Sequence, residues 1–454
     1  VTVPTLTGPR ATALRIALCG GYFLVLLDVT VVNVALPQIG SSLDAGAAGR
    51  AWVVDAYTVP LAALLLVAGA VGDRIGHRRV VVTGFLGFGL ASVLCGAAPG
   101  LTMLAVGRLV QGAAAALMLP GTLALLVDTA GDESQRPRLV GLWAAVGGSA
   151  LPAGPLLGGL LVEAAGWRAV FWLNVPVILA ALVPVLGIAQ RYDDRAGTRT
   201  HVDWRGGALL AVLVGSAVTA ILEVRSRPIA SACAAAVALL AFLLLRVVER
   251  RADPPLLEVP TAARRPLLAA SGVAGLMNLC TIGSLFLLTQ VFQDVHRTGP
   301  LTAGLVMLPA MVPLPLLGAP AGRLVQRFGS WRTAAAGLGV AAVGLVGMAA
   351  SIKQPVYPAL LPALTLWGIG LGVLTPAIVT AALDALPGAP GVASGASNTA
   401  RQTGGALGVA IFSALAGGSA AAGFSGRTAA VLVGSALAFV LAGAGALARG
   451  RRSG

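Results

Sequence analysis

Four charged residues stand where charge is costly. Asp28, Asp55, Arg108 and Arg401 each lie inside a long apolar run. A charge near mid-bilayer costs about 2.5–3.5 kcal/mol or more, so such residues are functional candidates by default. Their chemistry is ion pairing and proton exchange. Loss of water favours a protonated carboxyl, and a neighbouring guanidinium favours the charged form. An acid balanced between the two carries protons if its exposure switches from one side to the other. Asp28 and Arg108 are read as such a pair; the alternative is a permanent structural ion pair. Asp55 is a second candidate, as proton site or contact for a cationic substrate, unless it sits in the outer headgroup region. Arg401 either faces a substrate cavity or snorkels to the inner surface. Tyr57, Gln111 and Gln402 are further cavity candidates.

Helices must carry these side chains. The nine most apolar residue types make up 57% of the 454 residues, and only 11% are charged. Soluble proteins average about 25% charged residues, so a soluble multidomain enzyme and a disordered chain are both excluded. A spanning helix needs about 20 mostly apolar residues. Fourteen runs qualify: 14–38, 52–72, 79–98, 101–127, 138–162, 169–189, 206–223, 228–247, 267–291, 301–322, 332–351, 357–383, 393–417 and 428–447. The tenth holds Pro309, Pro313, Pro315 and Pro320 and is expected to kink. The thirteenth begins with polar residues, including Asn398, Arg401 and Gln402.

Charge sets the expected topology. The net charge is +14, which in a soluble protein would point to nucleic acid. Here, placing the N-terminus inside collects 22 basic residues in cytoplasmic segments, against seven outside. That bias puts both termini in the cytoplasm. The first apolar run is long and carries Asp28, so it reads as a span and not as a cleavable signal peptide. Cys19, Cys95, Cys233 and Cys280 have neither metal-site nor disulfide spacing and read as buried, inert thiols. No metal or cofactor is expected.

The chain repeats itself weakly. Gly69, Arg74, Gly76 and Arg79 recur as Gly322, Arg327, Gly329 and Arg332, and Gly112 and Pro120 as Gly368 and Pro376. Parallel half-repeats are a transporter signature, with substrate bound between the halves. The expected organisation is a six-helix half over residues 1–190, two inserted helices with cytoplasmic loops over 191–265, and a second six-helix half over 266–454.

These patterns resemble the major facilitator superfamily, and more narrowly its fourteen-span drug:proton antiporter branch, the EmrB/QacA type. Leu27 to Pro37 is similar to the branch's first-span signature. Gly69, Gly72, Asp73, Arg74, Gly76, Arg78 and Arg79 resemble the loop motif between spans two and three. Gly107 to Gly112 resembles the span-four motif. Gly154, Pro155, Gly158 and Gly159 resemble the antiporter motif of span five. Trp167 to Pro176 and Arg401 to Gly405 resemble further branch patterns. The resemblance implies an all-α polytopic membrane protein with the major facilitator fold, two six-helix halves plus two inserted helices. It implies a cytoplasmic latch at the Gly69–Arg79 loop, a bent fifth span that limits leakage, and a monomer in the cytoplasmic membrane.

The expected function is proton-coupled export of amphipathic small molecules by alternating access. Export of an endogenous metabolite or siderophore, or an uptake symporter or facilitator on the same fold, stays open. No G-x-x-x-x-G-K loop for nucleotide occurs, and no convergent catalytic constellation is apparent. The partners are substrate, protons and lipid, with no nucleic acid. Span thirteen lacks the acids that some branch members carry for polyvalent cations, which points to a neutral or monocationic substrate.

Overall fold

The computed structural model describes residues 9–130, 135–188, 204–224, 226–251, 259–353, 357–387 and 390–451, and no strand occurs among them. Long apolar stretches, nearly free of charge, satisfy their backbone polar groups within helices, as a hydrocarbon surrounding demands. The helices are α1 (Pro9–Ser42), α2 (Ala47–Ile75), α3 (His77–Gly96), α4 (Leu101–Asp128), α5 (Arg136–Ala165), α6 (Ala169–Trp172), α7 (Asn174–Ile188), α8 (Trp204–Leu222) and α9 (Pro228–Arg251). Then follow α10 (Thr261–Gln290), α11 (Pro300–Met311), α12 (Pro313–Leu316), α13 (Gly318–Phe328), α14 (Ser330–Ser351), α15 (Tyr357–Ala385), α16 (Pro390–Ala416) and α17 (Phe424–Gly450). A five-residue π-helical turn, Val291–Val295, extends α10.

Eleven of these helical stretches are long and apolar enough to cross a membrane, and a bent pair brings the number to twelve. Two further long helices, α2 and α16, stand outside that set. The bent pair is the expected tenth span, turned by 55° between Pro300–Leu316 and Pro320–Phe328. Proline removes a backbone donor and crowds the preceding turn, which accounts for the break.

The sixth span runs as one apolar stretch over Ala169–Gly187, with a one-residue turn at Leu173 between α6 and α7. Two expectations need correcting. The Gly69–Arg79 motif is not an extended loop. Residues 69–75 complete α2, and α3 starts at His77. Only Gly76 turns the chain, at φ 93°, a backbone that glycine tolerates best. Its repeat partner Gly329 does the same at φ 82°. Finally, Cys19, Cys95 and Cys280 are buried but Cys233 is exposed, on α9.

Helix α1 packs on α5, α7 and α4, while α2 packs on α4. In the second group α10 packs on α16 and α15, and α14 on α15 and α17. The two groups meet along α2–α16 and α5–α11. Helix α8 lies against α2 and also reaches α16, with α9 outside it. Only 17% of the apolar window of α9 is buried, against 67% in α1, which places α9 at the periphery.

Candidate functional site

The repeated glycines set helix spacing around the site. A Cβ at Gly112 of α4 would collide with the Tyr57 carbonyl of α2, and one at Gly368 of α15 with the Ala310 carbonyl of α11. Corresponding positions therefore make corresponding close approaches. Gly154 and Gly158 likewise bring α5 against Thr30 and Val31 of α1, and a Cβ at Gly159 would lie 2.6 Å from Leu301 Cα.

With α1, α2 and α4 this close, Asp28 and Arg108 meet. Arg108 Nη1 donates to Asp28 Oδ2 in an ion pair whose side chains are at most 1% exposed. Neighbours complete a network. Arg108 Nη1 donates to Gln111 Oε1 at 2.8 Å and Arg108 Nε to the Val53 carbonyl at 3.0 Å. Gln111 Nε2 lies 3.1 Å from Asp28 Oδ1 and 3.0 Å from Ser92 Oγ. Asn174 Nδ2 reaches Asp28 Oδ1 at 3.4 Å and Ser92 Oγ at 3.3 Å. The Tyr57 ring lies 4.2 Å from the Arg108 guanidinium carbon, and its hydroxyl donates to the Val25 carbonyl at 2.9 Å. Both carboxylate oxygens of Asp28 are thus held, by α4 and α7, while Ser92 of α3 accepts from the two amides that reach it.

Two members, Ser92 and Asn174, escape a search for charge. Asn174 lies within the Trp167–Pro176 pattern. The structure explains the pattern: Trp167 packs edge-on to Phe171, Arg168 stacks on Trp167, and after the one-residue turn at Leu173 the helix α7 starts at Asn174 beside Asp28. Ser92 is a single hydroxyl in the apolar run of α3, and sequence offers little to single it out.

Asp55 is equally buried, at 0% exposure, but apart from the network. It is two residues from both Val53 and Tyr57, about 200° around a helix, so it points away from Arg108. Its Oδ1 accepts from Thr58 Oγ1 at 3.4 Å. Its Oδ2 has no hydrogen-bond partner, and among the described residues no cation pairs with it.

Arg401 and Gln402 lie half-buried on α16. In the α2–α3 motif, Gly72 packs against the His77 ring, and Arg78 donates to the Leu186 carbonyl at 3.1 Å. Arg74 and Arg79 are exposed, and the Asp73 side chain lies outside the described residues.

A second polar cluster joins the two helix groups at the end opposite the described chain ends. Arg50 of α2 pairs with Asp294 of the π turn, and its Nη1 is 3.2 Å from Ser419 Oγ and 3.4 Å from Gln290 Oε1. Nearby, Gln293 Nε2 donates to the Val34 carbonyl at 2.9 Å, and the Leu301 amide to Glu163 Oε2 at 3.2 Å. Among the described residues, no group of three or more His, Cys, Asp or Glu is placed to hold a metal.

Long apolar helices closed around a buried carboxylate–guanidinium pair define the class, a polytopic membrane protein of transporter type. Residues 18–409 match the Major Facilitator Superfamily, and the chain belongs to that family. It is 34% identical over 403 residues to a "Methylenomycin A resistance protein" of Streptomyces coelicolor, covering 87% of this chain and 83% of the relative. It is 32% identical over 409 residues to "Drug efflux pump JefA" of Mycobacterium tuberculosis, covering 88% and 80%. Among solved structures, a peptide transporter POT in complex with sulfate aligns with TM-score 0.72 over 99% of this chain and 97% of the other. At 15% identity, that likeness speaks for the fold alone.

Proposed function

We propose that the chain exports amphipathic small molecules, antibiotics among them, by proton-coupled alternating access. The observation that carries the coupling is the sealed Asp28 network. An acid with no route to water in one state exchanges its proton only in another, which is what coupling requires. Asp28 loads from outside and releases inside, Arg108 being its counter-charge, and Asp55 is a second protonatable or cation-binding group. The direction rests on the resistance and efflux relatives and on the glycine- and proline-bearing α5. One proton moving down about 100 mV and one pH unit supplies about 2.3 plus 1.4 kcal/mol, enough for a gradient of a few hundredfold.

The same reading places the chain in the fourteen-span drug:proton antiporter branch. Helices α2 and α16 supply the two spans beyond the bent pair. The halves are residues 1–190 and 266–454, supported by the matching roles of Gly112 with Gly368 and of Gly76 with Gly329. Residues 191–265 form the insertion. The protein is a monomer in the cytoplasmic membrane with both termini inside. The α2–α3 turn acts as the cytoplasmic latch.

Everted membrane vesicles test the proposal with puromycin and methylenomycin A, drugs named for relatives. Energisation should drive drug accumulation, and a protonophore should abolish it. Accumulation indifferent to the protonophore would sink proton coupling, and proton-independent equilibration would mark a facilitator. A susceptibility panel on cells with and without the protein defines the substrate range.

A further inference from the structure

A groove of about 380 Å³ runs along the flank of the second helix group, between α10, α16 and α17. Cys280, Phe412 and Val431 are buried at its floor, and Leu415, Ala430 and Gly434 are exposed at its edge. Ala430, Gly434 and Ala438 follow one another at four-residue spacing on one face of α17, and their small side chains give the groove its depth. A Cβ at Gly434 would meet no atom within 4 Å. The one hydroxyl of the lining, Ser435, donates to the Val431 carbonyl at 2.9 Å and so is satisfied within its own helix. One end carries a charge. Arg427 stands in the first turn of α17, at the end of the molecule opposite the described chain ends. Its Nε donates to the Ala416 carbonyl at 2.6 Å and its Nη1 to the Ala422 carbonyl at 2.9 Å. These bonds fasten the guanidinium over the last residue of α16. Its Nη2 makes no hydrogen bond among the described residues, and no carboxylate there pairs with it. Ala438, at the other end of the groove, lies about 16 Å further along α17. Half of a bilayer's hydrocarbon core is about 15 Å. The groove thus spans one leaflet, from the interface to mid-bilayer.

We infer that this groove binds an anionic phospholipid of that leaflet, with one acyl chain laid along α17 and the phosphate on Arg427. Length, polarity and charge each select the occupant. A trough one leaflet deep fits a straight hydrocarbon chain, and every methylene buried there adds to affinity. Its walls hold no free donor or acceptor for the polar groups of a drug. The uncompensated charge and open Nη2 of Arg427 call for an anion at the interface, where arginine takes phosphate in charge-assisted hydrogen bonds. A lipid held there ties α10, α16 and α17 together, and α16 is the helix through which this group meets α2. The groove shares no residue with the Asp28 network, so the inference stands apart from the export reading.

Photo-crosslinking lipids test the site on the full chain in phosphatidylcholine nanodiscs. Two probes, a phosphatidylglycerol and a phosphatidylcholine, carry the same diazirine midway along one acyl chain. Adducts are located by peptide mass spectrometry. In the unsubstituted protein the phosphatidylglycerol should label the groove residues of α10 and α17 about fivefold more than the phosphatidylcholine, the range for one basic residue at an anionic lipid surface. Arg427→Gln should abolish that preference, and Arg427→Lys should keep part of it. Gly434→Leu fills the trough from an open position. It should cut groove labelling by both probes while leaving labelling of the peripheral α9 unchanged. Adducts spread evenly over the lipid-facing helices overturn the inference, as does a preference that survives Arg427→Gln. Groove labelling displaced by excess puromycin, with α9 labelling intact, would give the groove to substrate and overturn the lipid assignment. Each ratio is taken within one variant, so a loss of folded protein does not imitate the result. The readout needs neither a proton gradient nor transport, so a failure of export would leave it untouched.

Discussion

Two buried carboxylates in neighbouring helices occupy opposite situations. Asp28 is held by Arg108, Gln111 and Asn174, whereas Asp55 has one weak hydroxyl contact and one bare oxygen. Breaking a buried pair strands the remaining charge and costs about 3–5 kcal/mol. Asp28→Asn should therefore lower thermal stability in detergent clearly and abolish proton release on substrate addition. Asp55→Asn removes no pair and should shift stability by less than about 1 kcal/mol, within the range of a lost neutral hydrogen bond. Coupling retained in folded Asp28→Asn protein refutes its role as carrier, and equal destabilisation by the two substitutions refutes the contrast. The Asp28–Arg108 pair was legible in the sequence because charge is rare inside apolar runs. Ser92 and Asn174 were not, since neutral polar side chains are tolerated widely in spans. The isolation of Asp55 follows from helical phase relative to Tyr57, but only once the faces of α2 had partners.

At the scale of elements, close approach governs which helices meet. The glycine-rich stretch of α5 contacts α1 through Gly154 and Gly158, and α11 through Gly159. Gly154→Ala would push a methyl group into Thr30 Oγ1. Overpacking of this kind costs about 1–3 kcal/mol. The expected result is a lower melting temperature and reduced export, while Gly141→Ala at an open position of the same helix leaves both unchanged. Unaltered transport in Gly154→Ala would show that the approach is not needed. The apolar runs announced most elements, and the prolines announced the break in the tenth. The helical state of the Gly69–Ile75 segment did not show, because it depends on how neighbouring helices hold the backbone.

At the scale of the molecule, the structure is joined at one end. Arg50 and Asp294 lie 244 positions apart in the chain, with a hydrogen-bond contact between them across the two helix groups. No sequence pattern pairs Arg50 with Asp294. If this end faces outside, the pair holds the outer path shut. Arg50→Ala should then increase labelling of a cysteine introduced at Ser413, buried on α16 against the Ala47 carbonyl of α2, by a membrane-impermeant maleimide. Reversing the charges with Arg50→Asp and Asp294→Arg together should restore protection. Labelling unchanged by Arg50→Ala would assign closure to the α5–α11 seam alone.

Helix α8 has a mechanical consequence for any such opening. It touches α2 and α16, which belong to different helix groups, so it cannot ride rigidly with both when they separate. Gly207 and Gly215 fit against Val67 and Val59 of α2, a smooth, nearly unhydrogen-bonded face. Under the proposed alternating access, the hairpin of α8 and α9 would serve as a sliding gasket, travelling with α2 and wiping along α16 to keep lipid tails out of the parting seam.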